Sequence, residues 1–169
     1  MPIAMYDISI PMFIHMLQSM SVLLQKGAAY AAAKKIDPAT LPNSRLFPDM
    51  LPLAAQVQIA TDSAKGCAAR LAGQQSPVYE DNEKTLEELI ARVQKTIDYL
   101  NTFNPLQING AETRTIEFKL GGYTLKFTGQ DYLQNFAIPN FYFHVTTTYN
   151  ILRHNGVDIG KQDYLGKIQ

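Results

Sequence analysis

At 169 residues the chain is long enough for one domain with a substantial core and too short to expect two, so residues 1–169 read as a single domain. Fifteen basic residues balance fifteen acidic ones and only 18% of residues are charged, which advertises no basic face for nucleic acid and leaves little self-repulsion against a homo-oligomer. A single cysteine, Cys67, excludes an internal disulfide and a cysteine-based zinc cluster.

The chain begins "MPIAMYDISIPMFIHMLQ", with no basic n-region and an apolar run broken by Asp7, Pro11, His15 and Gln18. It does not read as a signal peptide, and no apolar run approaches the roughly 20 residues of a membrane span. No membrane association and a cytoplasmic location are the resulting expectations.

Ile10, Phe13, Leu17, Met20 and Leu24 recur at three- and four-residue steps, predicting a first helix from about Tyr6 to Lys35. At about 100° per residue, His15 falls about 200° from Phe13, on the far side with Ser19 and Val22, exposed or in a subunit contact. Prolines 38, 42, 48 and 52 then break the pattern. A second helix is expected near Pro52 to Ala72, with Gly73 as its stop. Leu53, Val57, Ala60, Ala64, Cys67 and Leu71 form one face of it. Ala55, Ile59, Asp62, Gly66 and Ala69 form another, so the helix suits close packing on both sides. Asp62 has Lys65 at i+3, and reads either as half of a surface ion pair or as a carboxylate at a cavity or interface. Cys67 on the apolar face reads as an inert, buried thiol.

A third helix is predicted from Thr85 to Phe103, opened by a capping box of Thr85 with Glu88 and striped by Leu86, Ile90, Val93, Ile97 and Leu100. Asn104-Pro105 ends it. In "TIEFKLGGYTLKF" two alternating runs flank Gly121-Gly122, the pattern of a β-hairpin whose apolar side lies against the helices. The fourth helix is expected from about Gln130 to Asn155, bent at Pro139. Four helices and one hairpin predict an all-α four-helix bundle, its long connections allowing crossovers.

On the fourth helix Phe141, Val145, Thr148 and Leu152 carry the core side. His144 lies about 60° from its centre, on the flank with Asn140, Thr147 and Ile151. A buried imidazole needs hydrogen-bond partners, which Asn140 or Thr148 at i±4 would supply in competition with main-chain carbonyls. His154 sits in the last turn beside Arg153, ahead of Asn155-Gly156, where cations favour a helix C-terminus. It lies ten residues from His144, roughly 15 Å along the axis, too far to share an ion.

The segment "FTGQDYLQNFAIPNFYFHVTTTYNILRHNGVDIGKQDYLG", with "LPLAAQVQIATDSAKG" upstream, resembles a bacterial family of unknown function in the DinB/YfiT-like metalloenzyme superfamily. The likeness covers nearly the whole chain. It implies a DinB-like four-helix bundle, commonly dimeric, related to divalent-metal enzymes that include thiol-dependent S-transferases and an isomerase. The metal site it implies takes one histidine from the second helix and a His-x-x-x-His pair from the fourth. His144 matches the first position of the pair, but Thr148 occupies the second and Pro52 to Ala72 contains no histidine. Asp62 is the one oxygen ligand that could substitute.

Two functions follow. The first is a homodimeric bundle without a metal cofactor that binds a small molecule or another protein, with His144, Asn140, Thr148 and Asp62 as candidate ligand-binding residues. The second is a divergent metal-dependent transferase or hydrolase using His144 with Asp62 and water, although zinc sites usually have three protein ligands. No Ser-His-Asp order, Gly-x-Ser-x-Gly elbow or phosphate loop is present.

Overall fold

The computed structural model describes residues 3–167. Its first helix, α1 (Ile10–Lys34), begins later than Tyr6 because of Pro11. Proline has no N–H to give the carbonyl four residues back, so it is tolerated in the first turn and residues 5–9 form turns instead. After a single turn, α2 (Thr40–Asn43), the chain enters α3 (Leu53–Leu71) behind Pro52. Gly73 has φ 69° and, with Gln74, returns N–H groups to the carbonyls of Arg70 and Ala69, closing α3 as its sequence position predicts.

The fourth helix in chain order, α4 (Leu86–Leu100), opens with both halves of the Thr85–Glu88 capping box. It stops at Leu100, three residues short of the predicted Phe103, because Asn104 caps a new turn, α5 (Pro105–Ile108). The hairpin pairs β1 (Thr115–Leu120) with β2 (Tyr123–Thr128), and Gly121 and Gly122 both take positive φ in the two-residue turn. Gly129 roots it: a Cβ there would run into the carbonyl of Ala111, so the strand can leave the hairpin only as glycine. Arg114 Nη1 donates to the Leu71 carbonyl at 2.7 Å, holding the hairpin over the end of α3.

Beyond β2 the chain runs through α6 (Gly129–Tyr132), a π-helical turn (Leu133–Ala137) and α7 (Ile138–His154), with α8 (Lys161–Leu165) at the end. The irregularity expected at Pro139 takes the form of this π turn, placed just before it. A proline ring collides with the carbonyl of residue i−4, and the wider turn, in which Ile138 N–H reaches Leu133, makes room.

The four long helices close a bundle in which α1 packs on α4 and α7, and α3 packs on the same two helices from the opposite side. Helices successive in sequence, α1 and α3, therefore sit diagonally, and the proline-rich connection crosses the bundle end. Phe13, Leu17, Met20, Leu24, Val57, Ala64, Leu89, Val93, Phe141 and Leu152 meet in the core with no exposed surface. Phe13 and Phe141 meet edge to face with ring centroids 4.9 Å apart. His15 is half-buried, and its Nε2–H donates to the Leu165 carbonyl at 2.7 Å, so the C-terminal segment covers part of the face expected to be exposed or in a subunit contact. Among the described residues no helix is long and apolar enough to cross a membrane.

Candidate functional site

Gln56, Ser63 and Arg70 recur every seven residues along α3, and seven residues bring a helix back to within about 20° of the same face. This polar row faces the antiparallel α7 and the π turn. His144 Nδ1–H donates to Gln56 Oε1 at 2.7 Å, Asn140 Nδ2 donates to Ser63 Oγ at 2.7 Å, and Arg70 Nη1 donates to the Tyr132 hydroxyl at 3.0 Å. Three cross-helix hydrogen bonds thus run along one seam.

His144 is buried, and burial holds its pKa below the ordinary 6.5, so the ring is neutral near pH 7. Gln56 spends its amide N–H on the Leu51 carbonyl at 3.0 Å, which orients its oxygen towards the ring and fixes the proton on Nδ1. The partners predicted for this histidine are therefore replaced by one from another helix. Asn140 is engaged by Ser63, and the Thr148 hydroxyl donates to the His144 carbonyl at 2.9 Å, the main-chain competition foreseen for a threonine inside a helix.

The metal site implied by the resemblance does not fit these side chains. The hydroxyl at Thr148 is turned to the backbone, and α3 offers His144 an amide. Asp62 is drawn elsewhere, with its carboxylate 2.9 Å from Lys65 Nζ and 3.0 Å from Arg92 Nη2. Among the described residues no three His, Cys, Asp or Glu side chains converge to hold an ion.

Arg92 is the centre of a second polar cluster, between α3, α4 and the loop before α4. Its guanidinium donates to Thr61 Oγ1, the Glu80 carbonyl and the carboxylates of Asp62 and Glu83, all within 3.0 Å, and the Asp81 carboxylate adds an ion-pair contact at 3.0 Å. Burial opposes ionisation of Glu83, but hydrogen bonds from Gln58 and Arg92 outweigh it and hold its carboxyl below the usual range. Tyr79 lies under Lys65, Arg92 and Lys95, with its ring centroid 4.1 Å from Lys95 Nζ. The cluster pins the loop to the bundle, with Arg92 and Lys65 paired to the carboxylates of Asp62, Asp81 and Glu83.

Where α3 leaves this cluster and meets the hairpin, a cavity of about 220 Å³ opens. Ile59, Phe118, Leu120, Phe136 and Ala137 give it apolar walls, and Asp62, Ser63, Arg70, Lys119 and Asn140 give it polar ones. The floor is an aromatic group in which Phe118, Tyr132 and Phe136 have ring centroids 5.3–5.9 Å apart. Burial, chiefly, pushes the Tyr132 hydroxyl's pKa up, so it stays protonated.

Asn140 and Asp62, two of the four residues singled out in the sequence, thus line this cavity. His144 and Thr148 lie further along α7, beside Gln56 and the backbone. Cys67 is wholly buried, and burial pushes its thiol far above the reactive range. Gln56, Ser63, Arg70 and Arg92 were not recognised as site residues from the sequence. The seven-residue spacing of the first three along one face of α3 is the signal that would have found the seam.

Comparison with known proteins follows the same lines. Residues 5–165 match a family described as "Domain of unknown function (DUF1993)". The crystal structure of a DinB family member from Shewanella denitrificans superposes with a TM-score of 0.86 at 43% sequence identity, covering 96% of this chain and 92% of that one. No curated protein matches the chain. The fold is accordingly a DinB-like four-helix bundle with a small hairpin. The chain belongs to the DUF1993 family of domains of unknown function.

Proposed function

We propose that this chain is a homodimeric bundle that works without a metal and binds a small molecule in the cavity between α3, the hairpin and the π turn. The observation that carries the reading is the composition of that cavity: apolar walls with a few convergent polar groups, the character of small-molecule sites. Its volume lies below the roughly 300 Å³ at which pockets for drug-sized ligands begin, so the ligand is small. The π turn supports the same place, since such turns occur frequently at functional sites. A proton-detected NMR screen of small organic molecules tests it: cavity amides, Ser63 and Asn140 among them, should shift. Shifts confined to other surfaces, or a protein partner that leaves the cavity unaffected, would refute it.

The dimer rests on the neutral, low charge and on exposed apolar side chains around the Gln56–His144 pair. Leu51 is 48% and Phe143 55% exposed there. Light scattering after size exclusion should give twice the 18.9 kDa chain mass, and a strict monomer at micromolar concentration defeats this part. A cytoplasmic location belongs to the same proposal and fits the free thiol of Cys67. Cell fractionation tests it.

The divergent metal-dependent enzyme keeps one observation in its favour. Gln56 fixes the Nδ1 proton of His144 and leaves Nε2 with its lone pair, as partners of metal-bound histidines do. Metal analysis of protein purified without a histidine tag decides between the two. Stoichiometric zinc or nickel, lost in His144→Ala, would favour the enzyme reading over the metal-free one.

A further inference from the structure

Arg70 brings a positive charge to the cavity wall, and among the described residues no carboxylate lies within ion-pair distance of it. Its guanidinium lies 4.5 Å from the Phe118 ring centroid, and one of its N–H groups goes to the Tyr132 hydroxyl, which leaves the rest of the planar fork uncommitted. The position is built by the backbone. Gly66 lies one turn before Arg70, and a Cβ there would sit 2.6 Å from Arg70 Nη1. The glycine therefore allows the side chain to fold back along α3 towards Ser63, into the cavity.

Two more donors face the same space. Ser63 Oγ accepts from Asn140, so its own hydroxyl proton is available, and Lys119 comes from the hairpin with no carboxylate at ion-pair distance among the described residues. The single acid on the wall, Asp62, is already neutralised by Lys65 and Arg92. The unspent charge of the cavity is thus positive, and it stands beside an aromatic floor.

We propose that the cavity takes a small organic carboxylate with an apolar or aromatic body, its carboxylate held by the Arg70 guanidinium. The proposal rests on the reading of this cavity as a ligand site and names the ligand's chemistry. A guanidinium fork matches a carboxylate in charge-assisted, bidentate geometry. The apolar walls accept the body of the ligand, whereas a dianionic phosphate has no apolar body for them and would bring a second charge to be desolvated there.

The test is an NMR titration of the protein with sodium benzoate, benzyl alcohol and inorganic phosphate, in parallel for wild type, Arg70→Gln and Gly66→Ala. Benzoate should move the amides of Ser63, Phe118, Phe136 and Asn140 in the wild type, and benzyl alcohol and phosphate should bind roughly tenfold more weakly or not at all. Arg70→Gln should weaken benzoate roughly tenfold. Gly66→Ala should do the same while keeping the arginine, because its only close contact is the flexible end of Arg70 and alanine favours the helix.

Benzyl alcohol binding in the cavity as tightly as benzoate would overturn the carboxylate and leave the cavity a ligand site. Cavity shifts from none of the probes at millimolar concentration would count against both. Benzoate affinity unchanged in Gly66→Ala and Arg70→Gln would overturn the role of Arg70. The benzoate-against-alcohol comparison needs only wild-type protein, so a variant that fails to fold does not decide the outcome.

Discussion

Arg92 and Arg70 both bring a guanidinium to α3, one from α4 and one from α3 itself, and their surroundings differ in kind. Arg92 is buried, donates four hydrogen bonds and faces three carboxylates, two of which, Asp81 and Glu83, come from the loop before α4 and tie it down. Arg70 is half-buried over an aromatic floor, has one hydroxyl as its polar protein partner, and borders a cavity. A cation whose donors are taken up by protein oxygens on several sides stabilises the fold. A cation held in position with donors unspent is available for recognition. The number of uncommitted donors therefore separates the two arginines, one on α4 and one on α3.

The sharpest way to break this contrast is to truncate Arg92. Arg92→Ala strands buried acceptors and frees the loop, so urea unfolding should show a loss of about 3 kcal/mol, the lower end for breaking a buried pair because Asp62 and Asp81 are partly solvated. A loss below about 1 kcal/mol would remove Arg92 from the structural role.

Along the seam, Asn140→Ala deletes one neutral hydrogen bond and leaves Ser63 on a cavity wall open to water, for an expected loss of about 1 kcal/mol in the same assay.

Two acid-base signatures separate the clusters further. Glu83 has a native pKa held below its ordinary 4.5, so its contribution is fully present above about pH 4.5 and is lost as pH falls through the native value. Glu83→Gln should flatten that acid limb. His144 likewise has a native pKa below 6.5, and the unfolded chain takes up its proton first. Its contribution is present above about pH 6.5 and is lost as pH falls towards the native pKa. Stability followed between pH 7 and pH 5 should therefore decline in wild type and decline less in His144→Gln.

Much of this fold is legible in the sequence because its signals are local. Thr85 with Glu88, Gly121-Gly122 and Gly73 each fix a backbone event within a few residues, and the periodic Leu, Ile and Phe residues place the core. The exceptions follow from proline chemistry: Pro11 delays α1, and Pro139 is accommodated by a π turn that no periodicity announces.

The site was less legible because its bonds join distant residues. Asn140 and Asp62 are singled out by their position on a helix wheel, which shows direction but not partner. Gln56 and His144 are 88 positions apart, and Arg70 and Tyr132 are 62 apart. Asp62 reads as one half of a pair with Lys65 because a wheel shows only its own helix. Arg92 arrives from α4, and Asp81 and Glu83 from a loop.

The smallest expected effect on stability belongs to Gly66→Ala. The gain in helix propensity, up to about 1 kcal/mol, is offset by the loss of the Arg70–Tyr132 hydrogen bond, so the urea midpoint should hardly move. A large loss would make Gly66 a packing requirement of the core and not the clearance for Arg70.

The division of labour between the two arginines is tested most directly by unfolding wild type and Arg70→Gln in urea with sodium benzoate and with sodium chloride at equal ionic strength. A ligand that binds only the native state stabilises it by mass action, and at about ten times its dissociation constant the gain is roughly 1.4 kcal/mol. Benzoate should raise the stability of the wild type by about that amount and that of Arg70→Gln, which binds roughly tenfold more weakly, by only about 0.4 kcal/mol. Equal stabilisation of both proteins, or of neither, would contradict the account.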